Sequence, residues 1–275
     1  MPSVLVTGTF DDLRSRHVRF LHAASRTGPV HAAFWSDALV RQFIGRDPTF
    51  PAAERRYYLE ALRWVDRVSE VTSLETPDAL PRDLAADGAT WVLAPDDEHV
   101  EAKRRVADAI GVAVRVLRAD ELAGFPDEHA GQILPPPAGK KKVIATGCFD
   151  WFHSGHVRFC EEIAELGAVY VCVGHDANIT LLKGVGHPLF PQDERRFVVG
   201  SVRYVHQALV TSGTGWMDAE PEIARIRPDL YAVNEDGDKP EKRAFCQRHG
   251  IEYVVLKRLP APGLERRAST SLRGF

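Results

Sequence analysis

The chain lacks any apolar run long enough to span a bilayer. It also lacks the charged-then-apolar N-terminal segment that directs secretion. A cytoplasmic protein is therefore expected. A basic excess is missing too: 35 Lys and Arg stand against 38 Asp and Glu, a formal charge of −3. That argues against a general nucleic-acid binder, which needs a basic face. Cysteine is sparse. Cys148, Cys160, Cys172 and Cys246 all fall in the second half, without paired spacing, and read as reduced thiols rather than a disulfide framework. No CxxC pair accompanies a histidine cluster, so no structural metal site is expected. The length, 275 residues, suits about two domains.

The most informative stretch that is present runs from Thr146 to His156, Thr-Gly-Cys-Phe-Asp-Trp-Phe-His-Ser-Gly-His. Val143, Ile144 and Ala145 before it read as a buried parallel strand. Gly147 permits a turn. Ser154 is a plausible N-cap, and Val157, Phe159, Cys160, Ile163 and Leu166 follow at helical spacing, with Gly167 closing the helix. Gly155 would let a ligand approach the backbone. The exposed N–H groups of that helix start form an anion site. His153 and His156 flank it and can donate hydrogen bonds to phosphate oxygens as charge builds in a transition state. Two histidines three apart can also be a core pair or part of a metal site. The ordered string of strand, glycine turn, H-S-G-H and helix favours the phosphate reading.

Further elements follow in order. Residues 169–174 read as a second buried strand, ending at Asp176. Lys183 lies in the loop Lys183-Gly184-Val185-Gly186, where a basic side chain can swing onto phosphates. Pro191 opens a helix running to about Val202, which carries Arg195 and Arg196. Residues 229–233 read as a strand delivering Asn234-Glu235-Asp236-Gly237 to its carboxyl end, where ligands sit in open α/β sheets. A helix (241–249), a strand (252–256), Arg258, and then Arg266-Arg267-Ala268-Ser269-Thr270-Ser271 complete the chain.

The Thr146–His156 string resembles the signature of the HxGH nucleotidyltransferase superfamily. Within it the nearest likeness is to cytidylyltransferases acting on glycerol phosphate and phosphoethanolamine. The resemblance covers residues 143–275. It implies that His153, His156, Lys183 and Arg195 are catalytic. Gly147, Cys148, Phe149, Asp150 and Gly155 would bind nucleotide, together with Asn234, Asp236, Arg258, Arg267, Ser269, Thr270 and Ser271. The hydroxyls of the last three would hold the β and γ phosphates, and Mg²⁺ would bridge the triphosphate. Whether Arg258, Arg266 or Arg267 takes the phosphate role stays open, because residues 259–265 read as an insertion relative to the family pattern. Arg195 and Arg196 could instead form an exposed charge cluster with Asp193 and Glu194. Family members often carry threonine where Cys148 stands, which tells against a nucleophilic thiol. Asp150 would orient the loop or a histidine. Trp151 and Asp176 are assigned to the acceptor by position alone.

The implied reaction is in-line transfer of CMP from CTP to a small phosphorylated or phosphonate alcohol, releasing pyrophosphate. Adenylyl transfer from ATP to a sugar or cofactor phosphate is the first alternative. A non-catalytic nucleotide-binding scaffold or sensor is the second.

An internal repeat accompanies the motif. Thr7–Phe20 parallels Thr146–Phe159 at an offset of 139, with nine of fourteen positions identical. Phe50–Arg56 parallels Phe190–Arg196 at 140, and Trp91–Asp97 parallels Leu230–Asp236 at 139. In the first copy Arg14 replaces His153, Arg16 replaces Gly155, and only His17 survives opposite His156. No lysine stands opposite Lys183, and Ala119–Ala123 replaces the hydroxyl run. The expected architecture is α/β: two tandem Rossmann-like domains, each a parallel sheet with helices on both faces. They are a degenerate, non-catalytic domain (1–123), a linker (124–142) containing Pro135-Pro136-Pro137, and a catalytic domain (143–275). The copies are expected to pair as an intramolecular pseudo-dimer, with further oligomerisation open.

Overall fold

The computed structural model describes residues 3–81, 83–84, 88–269 and 272. The chain divides into two compact units, Met1–Gly124 and Phe125–Phe275. The first contains β1 (Val4–Gly8), α1 (Ser15–Ser25), β2 (Val30–Trp35), α2 (Asp37–Ile44), α3 (Ala52–Ala61), β3 (Arg67–Val71), β4 (Thr90–Leu93), α4 (Val100–Ile110) and β5 (Ala113–Val116). The second contains β6 (Lys142–Gly147), α5 (Ser154–Ala164), β7 (Ala168–Val173), α6 (Asp176–Lys183), α7 (Gln192–Gly200), β8 (Val205–Val210), α8 (Glu220–Ile226), β9 (Leu230–Asn234), α9 (Pro240–His249) and β10 (Glu252–Leu256).

Each unit is a five-stranded parallel sheet flanked by helices, in the order β3-β2-β1-β4-β5 and, equivalently, β8-β7-β6-β9-β10. The central strands are apolar on both faces because helices cover both sides; all six residues of β7 are buried. In the second unit Ile144, Tyr170, Cys172, Tyr231, Val233 and Phe245 build one core layer. The order reverses between β6 and β9, the switch point at which such sheets open a crevice. These two strands pair over two residues only, Val143 with Leu230 and Ile144 with Tyr231, whereas β6 and β7 pair over six. Beyond Ile144 the strands splay. The Thr146 and Tyr231 hydroxyls, 2.6 Å apart, bridge the base of the opening.

The first unit repeats this device, with Trp91 Nε1 donating to Thr7 Oγ1 at 3.1 Å. Trp91 therefore matches Tyr231, not Leu230. The register of Val4 with Thr90 and Val143 with Leu230 agrees, so the offset at this strand is 140 rather than the expected 139.

Several expected boundaries shift. Residues 125–139, expected as linker, belong to the second unit and strap its edge strand. The Leu134 N–H donates to Gln207, Tyr170 OH donates to the Leu134 carbonyl, and the Gln207 amide donates to the Gln132 carbonyl. Arg196 donates to the Phe125 and Pro126 carbonyls, which removes it from the proposed exposed charge cluster. Gly167 does not close α5, whose C-cap is Glu165. A Cβ at Gly167 would lie 2.2 Å from the Lys141 carbonyl oxygen, so glycine is required there by close strand approach. Among the described residues, no helix is long and apolar enough to cross a membrane, and all four cysteines are free.

Candidate functional site at the carboxyl edge of the second sheet

The segment from Gly147 to His153 leaves β6, turns, and enters α5. Phe149 takes a left-handed backbone conformation (φ 53°), which folds its ring back over Gly147. A Cβ on Gly147 would meet that ring at 2.9 Å. Asp150 is buried, and its Oδ1 accepts from the Leu189 and Phe190 N–H groups at 2.8 and 3.0 Å. Asp150 thus latches the loop ahead of α7.

The N-cap of α5 is His153, not Ser154. Its Nδ1, in place of a hydroxyl, accepts the Gly155 N–H at 3.1 Å, while His156 Nδ1 accepts the His153 N–H at 3.3 Å. This reciprocal capping box has a chemical consequence. With each Nδ1 occupied as an acceptor, the neutral rings carry their proton on Nε2. The rings lie 4.1 Å apart, and Phe149 and Phe152 pack on His156 at 5.4 and 5.2 Å. Burial first, then Arg258 and Arg267, pushes the His153 pKa down to about 3. Burial, with His153, Arg258 and Lys183, holds His156 well below the usual imidazole range. Both are neutral donors at neutral pH rather than cations. His153 Nε2 is buried and has no hydrogen-bond partner among the described residues. Such a donor costs free energy unless a ligand meets it.

Gly155 is needed for a reason other than ligand approach. A Cβ there would sit 2.9 Å from His153 Cε1 and 3.0 Å from its Nδ1. Glycine makes room for the capping imidazole.

Cations gather around the histidines. Lys183 is not in a loop: it ends α6, whose N-cap His175 accepts the Asn178 N–H at 3.3 Å through Nδ1. From there the Lys183 charge acts on both His156 and the Cys148 thiol. Burial raises the Cys148 thiol above its ordinary value, so it stays protonated. Arg258 pairs with Asp236 at 2.5 Å and donates to the Arg267 carbonyl at 3.1 Å. Arg258 and Arg267 both face His153 electrostatically, whereas Arg266 is exposed and 3.9 Å from Glu235. Ser269 Oγ donates to the Trp151 carbonyl at 3.2 Å, holding the C-terminal segment against the loop before α5. Thr270 and Ser271 lie outside the described residues. Asn234 Oδ1, at the end of β9, is buried without a partner among the described residues. It is a second open polar atom, of acceptor type, at the switch point.

Arg195 is the clearest correction. It is 1% exposed. Its Nε donates to the Phe190 carbonyl, Nη1 to the Cys148 carbonyl, and Nη2 to the Gly174 carbonyl and Asp176 Oδ1, all at 2.6–2.8 Å. Four of its five N–H bonds are committed to the chain's own oxygens. It is not part of an exposed charge cluster: it ties together the segments that leave β6 and β7. Asp176, placed with the acceptor by position, is the carboxylate it holds. Arg55 repeats the arrangement in the first unit, donating to the Phe50, Thr9 and Trp35 carbonyls and to Asp37.

The sequence reading missed Tyr231 and the α6 helix that carries Lys183. The only signals for them were an aromatic at the third position of the strand expected over 229–233 and an acidic residue after His175. Among the described residues no three His, Cys, Asp or Glu side chains converge as a metal cage.

A parallel α/β sheet opening at its switch point onto a helix N-terminus, two neutral imidazole donors and three cations defines a nucleotide-handling site of the phosphate-transfer type. Comparison with known proteins gives the family. The Cytidylyltransferase-like family model matches residues 144–261. The chain is 35% identical over 120 residues to a protein named FAD synthase from Ferroglobus placidus, covering 42% of this chain and 75% of that one. It is 32% identical over 136 residues to the FAD synthase of Thermococcus kodakarensis, covering 48% and 88%. It is 30% identical over 177 residues to the bifunctional protein HldE of Azotobacter vinelandii, covering 62% and 34%. The chain belongs to the cytidylyltransferase-like group of the nucleotidyltransferase superfamily.

Proposed function

We propose that the second unit transfers a nucleoside monophosphate from a nucleoside triphosphate to a phosphate monoester. The observation that carries this reading is His153 Nε2, a buried donor with no partner, set at a helix N-terminus beside Arg258 and Arg267. A phosphate oxygen of the acceptor, already ionised at neutral pH, attacks the α-phosphorus. The bond to the bridging oxygen breaks and pyrophosphate leaves. No strong base is needed, so catalysis consists of positioning and charge stabilisation. The Nε2–H groups of His153 and His156 donate to the α-phosphate oxygens as charge shifts. Lys183 and the two arginines neutralise the chain of phosphates. Magnesium bound with the triphosphate supplies further charge neutralisation; with no cage of three ligating side chains among the described residues, the ion would be held chiefly by the nucleotide.

For the donor, the relatives' name favours ATP, since FAD carries an adenylyl group and its other half is a phosphate monoester. CTP is the second reading, favoured by the family description. The open acceptor at Asn234 suits a ribose hydroxyl or an exocyclic amine, which adenine and cytosine both offer. Pyrophosphate release is the test, with ATP or CTP, magnesium, and a panel of flavin, sugar and polyol monophosphates. Release with ATP alone establishes adenylyl transfer, and with CTP alone cytidylyl transfer. Thermal stabilisation by a nucleotide without pyrophosphate from any acceptor would replace the enzyme with a nucleotide-binding scaffold.

A further inference from the structure

The first unit has lost much of the phosphate-handling string but has kept a cavity. A space of about 330 Å³ opens at the carboxyl ends of β1 and β4, bordered by Phe10, Arg16, His17, Phe20, Asp96 and Leu122. This is the switch point of the first sheet. Its size is at the lower end of small-molecule sites, which run from about 300 to 1,000 Å³.

The cavity keeps the donor geometry of the second unit. His17 Nδ1 accepts the Arg14 N–H at 3.1 Å, so its neutral ring carries the proton on Nε2. Burial first, then Arg16 and Arg14, lowers His17 to about 4. No hydrogen bond engages Nε2 among the described residues. The sequence places Arg16 where the second unit has Gly155, adding a permanent cation at the same helix start. Across the opening, Asp96 matches Asp236 at the corrected offset of 140. Asp236 is held by Arg258, but Asp96 makes no ion pair among the described residues. Two aromatic rings, Phe10 and Phe20, supply apolar wall. The cations for a long phosphate chain are missing: Phe43 or Ile44 falls opposite Lys183, and Leu122 borders the cavity near the end of the unit.

The geometry points to a second ligand site in the first unit, one that binds a nucleoside monophosphate and carries out no transfer. Arg16 and the His17 Nε2–H hold the single phosphate at the α1 N-terminus. Asp96 accepts from ribose hydroxyls. The base packs against the phenylalanines. The choice of ligand class rests on the nucleotide reading of the second unit, and the experiment separates the failure of one from that of the other.

The full chain labelled with 5-fluorotryptophan is titrated with AMP and with CMP and followed by fluorine NMR. Trp91 reports on the first unit, because its indole N–H donates to Thr7, which borders the cavity. Trp151 reports on the second, from within the loop before α5. Replacing each by Phe assigns its resonance. The expected result is a saturable shift of Trp91 with at least one of the two ligands. Arg16→Ala, at an exposed position, should weaken it at least about tenfold, and the cavity-filling Ala94→Phe should abolish it. Trp151 and pyrophosphate release should be unaffected in both variants. A saturable shift of Trp151 with Trp91 silent overturns the proposal and leaves the second-unit reading standing. A Trp91 shift that survives both variants also overturns it, because the ligand then binds elsewhere. Silence of both reporters overturns the proposal, and pyrophosphate release then decides the second-unit reading separately.

Discussion

Arg195→Ala should unfold the second unit far more readily and should not act as a substrate-contact mutation. Arg195 satisfies three backbone carbonyls and one carboxylate from a position 1% exposed. Asp176, its ionic partner, is 44% exposed, so water replaces that contact and little stability is assigned to it. The carbonyls of Phe190, Cys148 and Gly174 are the costly losses. Leaving a buried acceptor unmet costs about 1–3 kcal/mol each. Taking the low end, because carbonyls have a second lone pair and water can enter the vacated space, gives about 3 kcal/mol. With a urea slope of about 2 kcal/mol per molar, the midpoint should fall by about 1.5 M. Urea unfolding followed by circular dichroism, with pyrophosphate release measured on the folded fraction, is the assay. Arg55→Ala is the internal control, with the same kind of clamp in the first unit. It should lower the stability of that unit similarly and leave the turnover of the second intact. An Arg195→Ala protein with an unmoved midpoint and collapsed turnover would refute the argument and return Arg195 to the phosphates.

His156→Ala removes one preorganised donor and should lower kcat about 10²- to 10³-fold with little change in unfolding midpoint, as read by steady-state kinetics beside a melt; unchanged turnover would remove the imidazoles from the mechanism. Gly155→Ala puts a methyl group 2.9 Å from His153 Cε1, so the capping ring must move; kcat should drop at least tenfold while the fold persists, and a fully active variant would show that the His153 geometry is immaterial. The third expectation concerns pH and stability. His153 has a folded pKa of about 3, lowered from about 6.5. Its neutral form is the one the fold accepts, so its contribution is complete above pH 6.5. As pH falls from 6.5 towards 3, the unfolded chain takes up a proton that the folded chain does not, costing about 1.4 kcal/mol per unit. His153→Gln should flatten that acid limb in urea melts at pH 4–7, and an identical limb in both proteins would show that the ring is protonated in the fold.

Much of this was legible in the sequence, and the failures have physical causes. The strands β6, β7 and β9 follow from buried apolar runs, because a parallel sheet covered on both faces leaves no polar alternation to read. Helix α6 has no clear start in the sequence because its cap is an imidazole, His175, where a hydroxyl or carboxylate is the usual signal. The same substitution hid the true start of α5, where His153 caps and Ser154 is already helical. The order of His153, His156 and Lys183 along the chain was readable, but the role of Arg195 was not. Its partners Gly174 and Cys148 lie 21 and 47 residues away, and spacing alone does not show which of two adjacent arginines turns inward onto them. The one-residue drift of the repeat at β4 and β9 was invisible until the Trp91–Thr7 and Tyr231–Thr146 pairs fixed the register.

The two units, each taken by itself, separate scaffold from chemistry more sharply than either would alone. Asp11 accepts the Thr49 and Phe50 N–H groups just as Asp150 accepts those of Leu189 and Phe190. Arg55 and Arg195 make the same clamp, and Phe10 and Phe149 share a positive φ. His17 and His156 share the tautomer-setting hydrogen bond. The aspartate latches, the arginine clamps and the left-handed phenylalanines are scaffold that holds a crevice open at the switch point, whereas the His17 and His156 donors are a phosphate-facing feature retained in both units. What the second has and the first lacks is the capping imidazole of His153, the glycine beneath it, Lys183, and the pair Arg258 and Arg267 that faces His153. Each of these bears on where a triphosphate's negative charge would lie. A shared scaffold with a charge-handling set confined to one copy is the pattern expected when a duplicated nucleotide site keeps binding in both halves and transfer in one.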